Sequence, residues 1–346
     1  MQLVAMGAQD VYLTGNPQIT FFKVVYRRHT NFSKECIAQQ FNGQTSAGGT
    51  GTVTLSRNGD LIQEIYVRMP ITVNGTNGAD CSGLVKTVEV EIGGQKIDKH
   101  YAEWMNIYDD LFETNNKLVE VLYKPTDSTV SNVYVPLRFW FNRNPGLALP
   151  LIALQYHEVK INVTWGAAIA NNAMGTCDLL VNYLYLDTDE RRRFAQVSHE
   201  YLIEQVQYTG AETKSKFSLN FNHPVKALLW THTPSDITKK IKLQLNGHDR
   251  AAEQGCEYYA LVQPYENGLA TNDKSRTRPA NAAPYNGLYS FCLKPAEHQP
   301  SGTCNFSRID NATLDLGSIS GNAHVFALNY NVLRIMSGMG GLAYSN

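Results

Sequence analysis

Apolar and polar residues alternate strictly in five short stretches of the chain, at 53–57, 88–92, 159–163, 217–221 and 241–245. A period of two places the apolar side chains of a stretch on one face, which is typical of half-buried antiparallel strands. Extended to the flanking turn residues, the pattern predicts eight strands in each half of the chain. The predicted strands lie near 36–43, 51–57, 61–69, 86–92, 95–98, 135–141, 158–165 and 178–186, and then near 203–208, 216–222, 225–232, 240–245, 248–251, 287–293, 305–315 and 323–335.

The two halves carry these patterns in the same order. The stretch at 88–94 recurs at 241–247, and the stretch that begins at Val181 recurs 147 residues later, at Leu328. Eight strands fit a two-sheet jelly roll as well as an up-and-down barrel, so the number alone leaves both open. A tandem all-β duplication favours a building block over a catalyst.

The lengths of the connections favour the jelly roll. With the strands lettered B to I, the C–D and E–F connections of a jelly roll share one end of the sandwich, and D–E and F–G share the other. Tight turns are predicted at the first end, at Asn58–Gly59, Gly93–Gly94, 222–224 and Asn246–Gly247, since such residues accept positive φ. The second end has the long connections 70–85, 99–134 and 252–286. We therefore expect the second end to face partners or the outside.

Two helices are predicted outside the strands. In Tyr101–Leu111 the apolar residues recur at helical spacing. Another helix starts at Asp187, which can cap it, with Glu190 at the capping-box position. The predicted organisation is an N-terminal arm at 1–32, a first jelly roll at 33–186, a linker helix at 187–200 and a second jelly roll at 201–346. The arginines at 191–193 are interpreted as a salt-bridge cluster, either between the halves or on the inner face.

The charge balance disfavours several kinds of partner. Lys and Arg number 30 against 31 Asp and Glu, so direct nucleic-acid binding is not expected. The most apolar stretch, 147–154, is far shorter than the ~20 residues of a membrane span, so membrane contact would go through partners.

The N-terminus does not have the pattern of a secretion signal. The six cysteines form no Cys-x-x-Cys pair, which favours free thiols.

No pattern of catalytic or metal-binding residues emerges. The nine histidines include neither His-x-His nor His-Glu-x-x-His, and Gly317–Gly321 has Ile319 where a nucleophile would stand. Gly338–Ala343 resembles a dinucleotide loop but has no following helix, so a flexible or closely packed tail is expected. We expect no catalytic residues, no cofactor and no metal. Among the Asn-x-Ser/Thr sequons, Asn74 is the candidate for glycosylation because it falls in a long connection.

Long motifs throughout the chain resemble the major capsid proteins of nucleocytoplasmic large DNA viruses, such as iridoviruses, phycodnaviruses and mimiviruses. The segments that carry the resemblance are Gly7–Phe32, Ile92–Asp98, Asp187–Phe194, Gln299–Asp310 and Asn329–Tyr344. The resemblance implies an all-β double jelly roll with short flanking helices. It also implies a homotrimeric, pseudo-hexagonal capsomer that packs against neighbouring capsomers in an icosahedral shell over an internal membrane, assembled in the host cytoplasm.

In such proteins the N-terminal arm lies on the inner face, near minor capsid proteins. The resemblance assigns this role to residues 1–32, with Phe21, Phe22, Arg27 and Arg28 as candidate contact residues. The second half has short loops for this family, so low outer towers are expected. Two alternatives remain open from the residues: a carbohydrate-binding jelly-roll module, disfavoured by the missing secretion signal, and an enzyme on a β-sandwich, disfavoured by the absence of convergent titratable groups.

Overall fold

The computed structural model describes residues 7–24, 28–70, 83–113, 132–167, 176–250, 253–269 and 285–344. The chain separates into two compact units, residues 1–31 and 32–346. In the first unit, a short helix α1 (Asp10–Thr14) is the regular element. The second unit holds the strands and the remaining helices.

The strands of the first half are β1 (Phe32–Gln40), β2 (Asn42–Gly43), β3 (Thr50–Thr54), β4 (Leu61–Pro70), β5 (Val85–Ile92), β6 (Gln95–Tyr101), β7 (Asn132–Pro136), β8 (Leu149–Pro150), β9 (Val159–Trp165) and β10 (Asp178–Leu186). Those of the second half are β11 (His199–Glu212), β12 (Lys216–Ser218), β13 (Pro224–His232), β14 (Lys242–Leu245), β15 (His248–Asp249), β16 (Tyr285–Ser290), β17 (Cys304–Asn305), β18 (Ala312–Asp315), β19 (Ala323–Met336) and β20 (Met339–Leu342). The α-helices of this unit are α2 (Ala102–Leu111), α3 (Trp140–Arg143), α4 (Thr188–Gln196) and α5 (Gln263–Glu266), with a π-helical turn at Tyr258–Val262.

Both halves have the same sheet topology. In the first half the sheets run β1-β10-β4-β7 and β2-β3-β9-β5-β6; in the second they run β11-β19-β13-β16 and β12-β18-β14-β15. The eight main strands of each half, lettered B to I, are β1, β3, β4, β5, β6, β7, β9 and β10, and then β11, β12, β13, β14, β15, β16, β18 and β19. Each half therefore has one sheet in the order B-I-D-G and one in the order C-H-E-F. This is a jelly roll, and it excludes an up-and-down barrel because strand B pairs with I rather than with C.

The predicted E–F turns are confirmed. Gly93 and Gly94 have φ of 58° and 85°, and Asn246 and Gly247 have 51° and 77°. Positive φ at both central residues is the geometry of a type I′ hairpin, which matches the twist of the flanking strands. The C–D prediction at Asn58–Gly59 is wrong, because that connection runs over the whole of 55–60.

Several predicted strands are shorter than expected, and in two of them the chain turns into a helical segment. The strand predicted over 135–141 ends at Pro136. Helix α3 then begins at Trp140, and the Asn142 side chain accepts a hydrogen bond from the Phe139 N–H. The run at 305–315 breaks after Asn305, whose side-chain oxygen accepts from the Ser307 N–H and starts a short 3₁₀ turn. In each case an asparagine side chain accepts a hydrogen bond from the backbone where the helical segment starts, in competition with a strand ladder.

A single apolar core crosses the boundary between the halves. It joins Ile65 and Val90 of the first half to Ile203, Leu229 and Phe326 of the second. A separate cluster fills the second sandwich. Burying such a side chain contributes roughly 1.5–3 kcal/mol, so separating the halves would expose apolar surface that the folded chain keeps dry.

Candidate assembly surfaces

A buried carboxylate fastens the two halves to each other. Glu204, on β11 of the second half, lies with Oε2 2.6 Å from Nη1 of Arg143, which ends α3 of the first half. Its Oε1 lies 2.5 Å from Nζ of Lys226 on β13 and 3.7 Å from Nδ1 of His298. The side chains of Glu204 and Lys226 are 6% and 1% exposed. The second half thus meets the first through an ion cluster whose central pair, Glu204 and Lys226, is buried.

The electrostatics keep this carboxylate ionised. Burial by itself would raise the pKa of Glu204, but His298, Lys226 and Arg143 outweigh it and lower the pKa to about 2. The guanidinium of Arg143 also lies 4.7 Å from the centre of the Tyr108 ring on α2, a cation–π contact. A buried pair of this kind adds little net stability when intact, but removing one partner leaves an unpaired buried charge.

A second set of contacts joins β11 to β6, the F strand of the first half. The side chain of Gln205 donates to the carbonyl of Ile97 at 2.5 Å, and the N–H of Val206 donates to Oδ1 of Asp98 at 3.1 Å. The other carboxylate oxygen of Asp98 lies 2.8 Å from Nε2 of His100, and both side chains are fully buried. These polar contacts fix the register of the two halves where the apolar core alone would tolerate sliding.

The C-terminal hairpin packs on the first half. Nδ1 of His157 lies 3.0 Å from the carbonyl oxygen of Gly340, and the N–H of Tyr156 donates to the carbonyl of Gly338. A Cβ at Gly340 would come within 2.7 Å of Leu154, so the glycine allows close approach of the two backbones. The tail predicted over 338–343 is therefore the packed strand β20 rather than a flexible segment.

The linker helix and its predicted cap at Asp187 are found in the structure. Asp187 is the N-cap of α4 and accepts from the Thr188 N–H at 2.7 Å; the expected capping box with Glu190 is replaced by this single bond. Arg191 pairs with Asp60 of the first half at 3.0 Å, which is one salt bridge of the kind predicted for the arginine run.

The arm presents apolar side chains to solvent. Phe21 is 86% exposed and Phe22 is 97% exposed within their unit. Val11, Tyr12, Leu13, Ile19 and Val24 are also exposed. Arg28 is exposed, whereas Arg27 lies outside the described residues. An exposed apolar strip of this extent is typical of an interaction segment.

Three further features from the sequence concern glycosylation, metal binding and membrane contact. Asn74 lies outside the described residues. In the described ranges no three His, Cys, Asp or Glu side chains are grouped so that they could hold a metal. No described helix has the length and apolar character to cross a membrane. The described residues thus define a double jelly roll whose two halves are fastened together at a buried junction.

The comparisons with known proteins agree with this class. The family model "Major capsid protein N-terminus" matches residues 20–187, and "Large eukaryotic DNA virus major capsid protein" matches 190–237 and 233–341. The chain is 52% identical to the major capsid protein of Pyramimonas orientalis virus and 44% identical to that of Paramecium bursaria Chlorella virus 1; each alignment covers 100% of this chain and 99% of the relative.

The solved structures agree. The structure of the PBCV-1 protein VP54 superimposes with a TM-score of 0.81 at 39% identity, over 94% of this chain and 100% of that chain. The chain therefore belongs to the major capsid protein family of large eukaryotic DNA viruses. Its role is structural, in the virion shell, rather than enzymatic, and the resemblance seen in the sequence is confirmed.

Sequence reasoning missed the junction residues. Glu204 and Gln205 lie inside a stretch whose pattern predicts a strand, but nothing local shows that the first half covers them. The available signal was weak: a glutamate between Ile203 and Val206 at the start of the second copy.

Proposed function

We propose that three copies of this chain form a homotrimeric capsomer in which six jelly rolls surround one axis, and that capsomers tile an icosahedral shell. The observation that carries the proposal is the identical sheet order of the two halves, which gives each chain two similar units. Three such chains supply six similar units, and repeated heterologous contacts close into a ring. A fastened junction suits this role because each chain then enters the ring as one rigid pair.

The topology supports an orientation for the capsomer. β1 begins at Phe32 opposite Leu186, the strand end that leads into the linker helix. The arm therefore joins the body at the end that carries the C–D and E–F turns. The long D–E and F–G connections belong to the opposite end, which we assign to the outside of the shell. A glycan at Asn74 would lie on that outer side.

The arm is assigned to assembly on the inner face. Phe21 and Phe22 are exposed apolar side chains, and Arg27 and Arg28 follow them in the sequence. Such a strip suits contacts with minor capsid proteins, which would in turn hold the internal membrane. The division into arm (1–32), first jelly roll (33–186), linker helix (187–200) and second jelly roll (201–346) belongs to the same proposal, as does assembly in the host cytoplasm.

Electron microscopy of the purified protein tests the capsomer. Class averages should show threefold particles with a six-lobed outline. Particles of single-chain size, or pairs related by a twofold axis, would contradict the proposal. A chain without residues 1–31 is the matched variant, because it should keep the six-lobed particle and lose incorporation into shells.

A further inference from the structure

The B strands of the two halves occupy the same place in the fold but differ in burial. Cys36 pairs with Asn182, and Gln205 pairs with Asn329; the two asparagines are the repeat-related residues 147 positions apart. Residues 34–37 of β1 therefore correspond to residues 203–206 of β11. All four residues of β11 are buried, whereas in β1 three are exposed and Ile37 is half-buried.

The burial of β11 comes from the first half of the same chain. Gln205 and Val206 bond to Ile97 and Asp98 on the F strand β6, and Glu204 bonds to Arg143. Among the described residues, β1 has no such cover. It is the end strand of its sheet, with β10 as its neighbour, and no described strand pairs with its other edge. A nine-residue edge strand left bare in this way is a ready site for another chain.

The second half has the matching free surface. Its F strand, β15, is the end strand of its sheet, and the exposed Arg250 directly follows it. Arg250 comes three residues after the Asn246–Gly247 turn, as Ile97 does after Gly93–Gly94. The Arg250 N–H donates to the carbonyl of Leu243 on β14. Arg250 therefore occupies the position in the second half that Ile97 and Asp98, which bond to β11, occupy in the first.

We infer that β1 of one copy seats against the β14–β15 hairpin and Arg250 of the next copy, repeating between chains the contact that β11 makes with β6 within the chain. The inference rests on the proposed trimer and names the surfaces that close it. Each chain has one B–F contact already made and one B strand and one F strand left over, which is what a heterologous ring requires. Cys36 of β1 would then lie against Arg250 of the neighbour, as the equivalent Gln205 lies against Ile97 within the chain.

A thiol cross-link tests this contact. Cys36 is exposed in β1 and corresponds to Gln205, which reaches Ile97. In a background with Cys81→Ser, the variant Arg250→Cys should let a short bismaleimide join Cys36 of one copy to the introduced thiol of the next. Because the contact is heterologous, linkage should run round the ring, and most of the chain should shift from monomer to covalent trimer on a denaturing gel. His248→Cys is a second variant on the same hairpin.

The controls separate this interface from trimerisation itself. Arg250→Cys combined with Cys36→Ser should give no ladder of cross-linked dimer and trimer bands on the denaturing gel. Lys216→Cys places a thiol on β12, at the opposite edge of the same sheet, and should give no Cys36-dependent linkage. A trimer by light scattering without the ladder, or linkage that stops at dimers, would overturn the inference while leaving the trimer in place. A protein that stays monomeric would overturn the proposed capsomer and this interface together.

Discussion

Replacing Glu204 by glutamine removes the carboxylate that holds Arg143 and Lys226 at the junction. Glu204 has a pKa of about 2 in the folded chain against about 4.3 in an unfolded chain, and each unit corresponds to about 1.4 kcal/mol. Relative to the protonated form, the ionised side chain is therefore favoured in the folded chain by about 3 kcal/mol at neutral pH. Because the folded pKa is the lower one, this contribution is present above pH ~4.5 and is lost as the pH falls toward 2. We expect Glu204→Gln to destabilise the protein by about 3–5 kcal/mol, since it leaves buried cations unpaired.

The assay is urea unfolding at pH 7 and along a pH series, at one fixed chain concentration because assembly adds to apparent stability. Glu200→Gln is the matched control: Glu200 pairs with Arg334 at 2.7 Å, but the side chains are 60% and 50% exposed, so its loss should cost under about 1 kcal/mol. Adding Lys226→Met to Glu204→Gln should recover part of the loss, since one unpaired buried charge is removed. A cost under about 1 kcal/mol for Glu204→Gln would refute the reasoning. So would a variant that loses as much stability between pH 4.5 and pH 2 as the unsubstituted protein does.

Three further perturbations test other parts of the structure. Deleting residues 1–31 should leave a body that unfolds cooperatively but does not build shells, as scanning calorimetry and electron microscopy would show; normal shells would assign the arm another role. Inserting a short epitope between Gly93 and Gly94 should abolish soluble expression, because the type I′ turn sets strand register, and a soluble, cooperatively folded insertion variant would contradict this. Gly340→Ala should cost about 1–3 kcal/mol of stability in thermal melts, because its Cβ would lie 2.7 Å from Leu154. Gly341→Ala is the control and should cost much less, because its Cβ would face the flexible end of a glutamine. Equal costs would argue against close packing of the hairpin.

Local patterns predicted much of the fold. The Asn246–Gly247 turn, the helix at Ala102–Leu111 and the cap at Asp187 all follow from a few neighbouring residues, and each is found in the structure. The start of the long β1 was missed because residues 32–36 are exposed on both faces, so they show no alternation of apolar and polar side chains. The helical turns at 258–266 fall inside the predicted long connection 252–286, because their apolar residues follow neither the helical nor the strand period.

The contact surfaces lay beyond local reasoning for a different reason. Glu204 and Val206 are buried by residues more than 60 and 100 positions away, so no pattern around them records the partner. The candidate residues of the arm could be named because Phe21 and Phe22 are apolar outside any predicted strand. The proposed contact at β1 depends on the strand registers of both halves, which match Cys36 to Gln205.

The mass of the native assembly tests the central claim most directly. Native mass spectrometry of the purified full-length protein at micromolar concentration should give one dominant species at three times the 38.6 kDa chain mass. A dominant monomer or dimer under the same conditions would contradict the capsomer, and with it the ring of six jelly rolls.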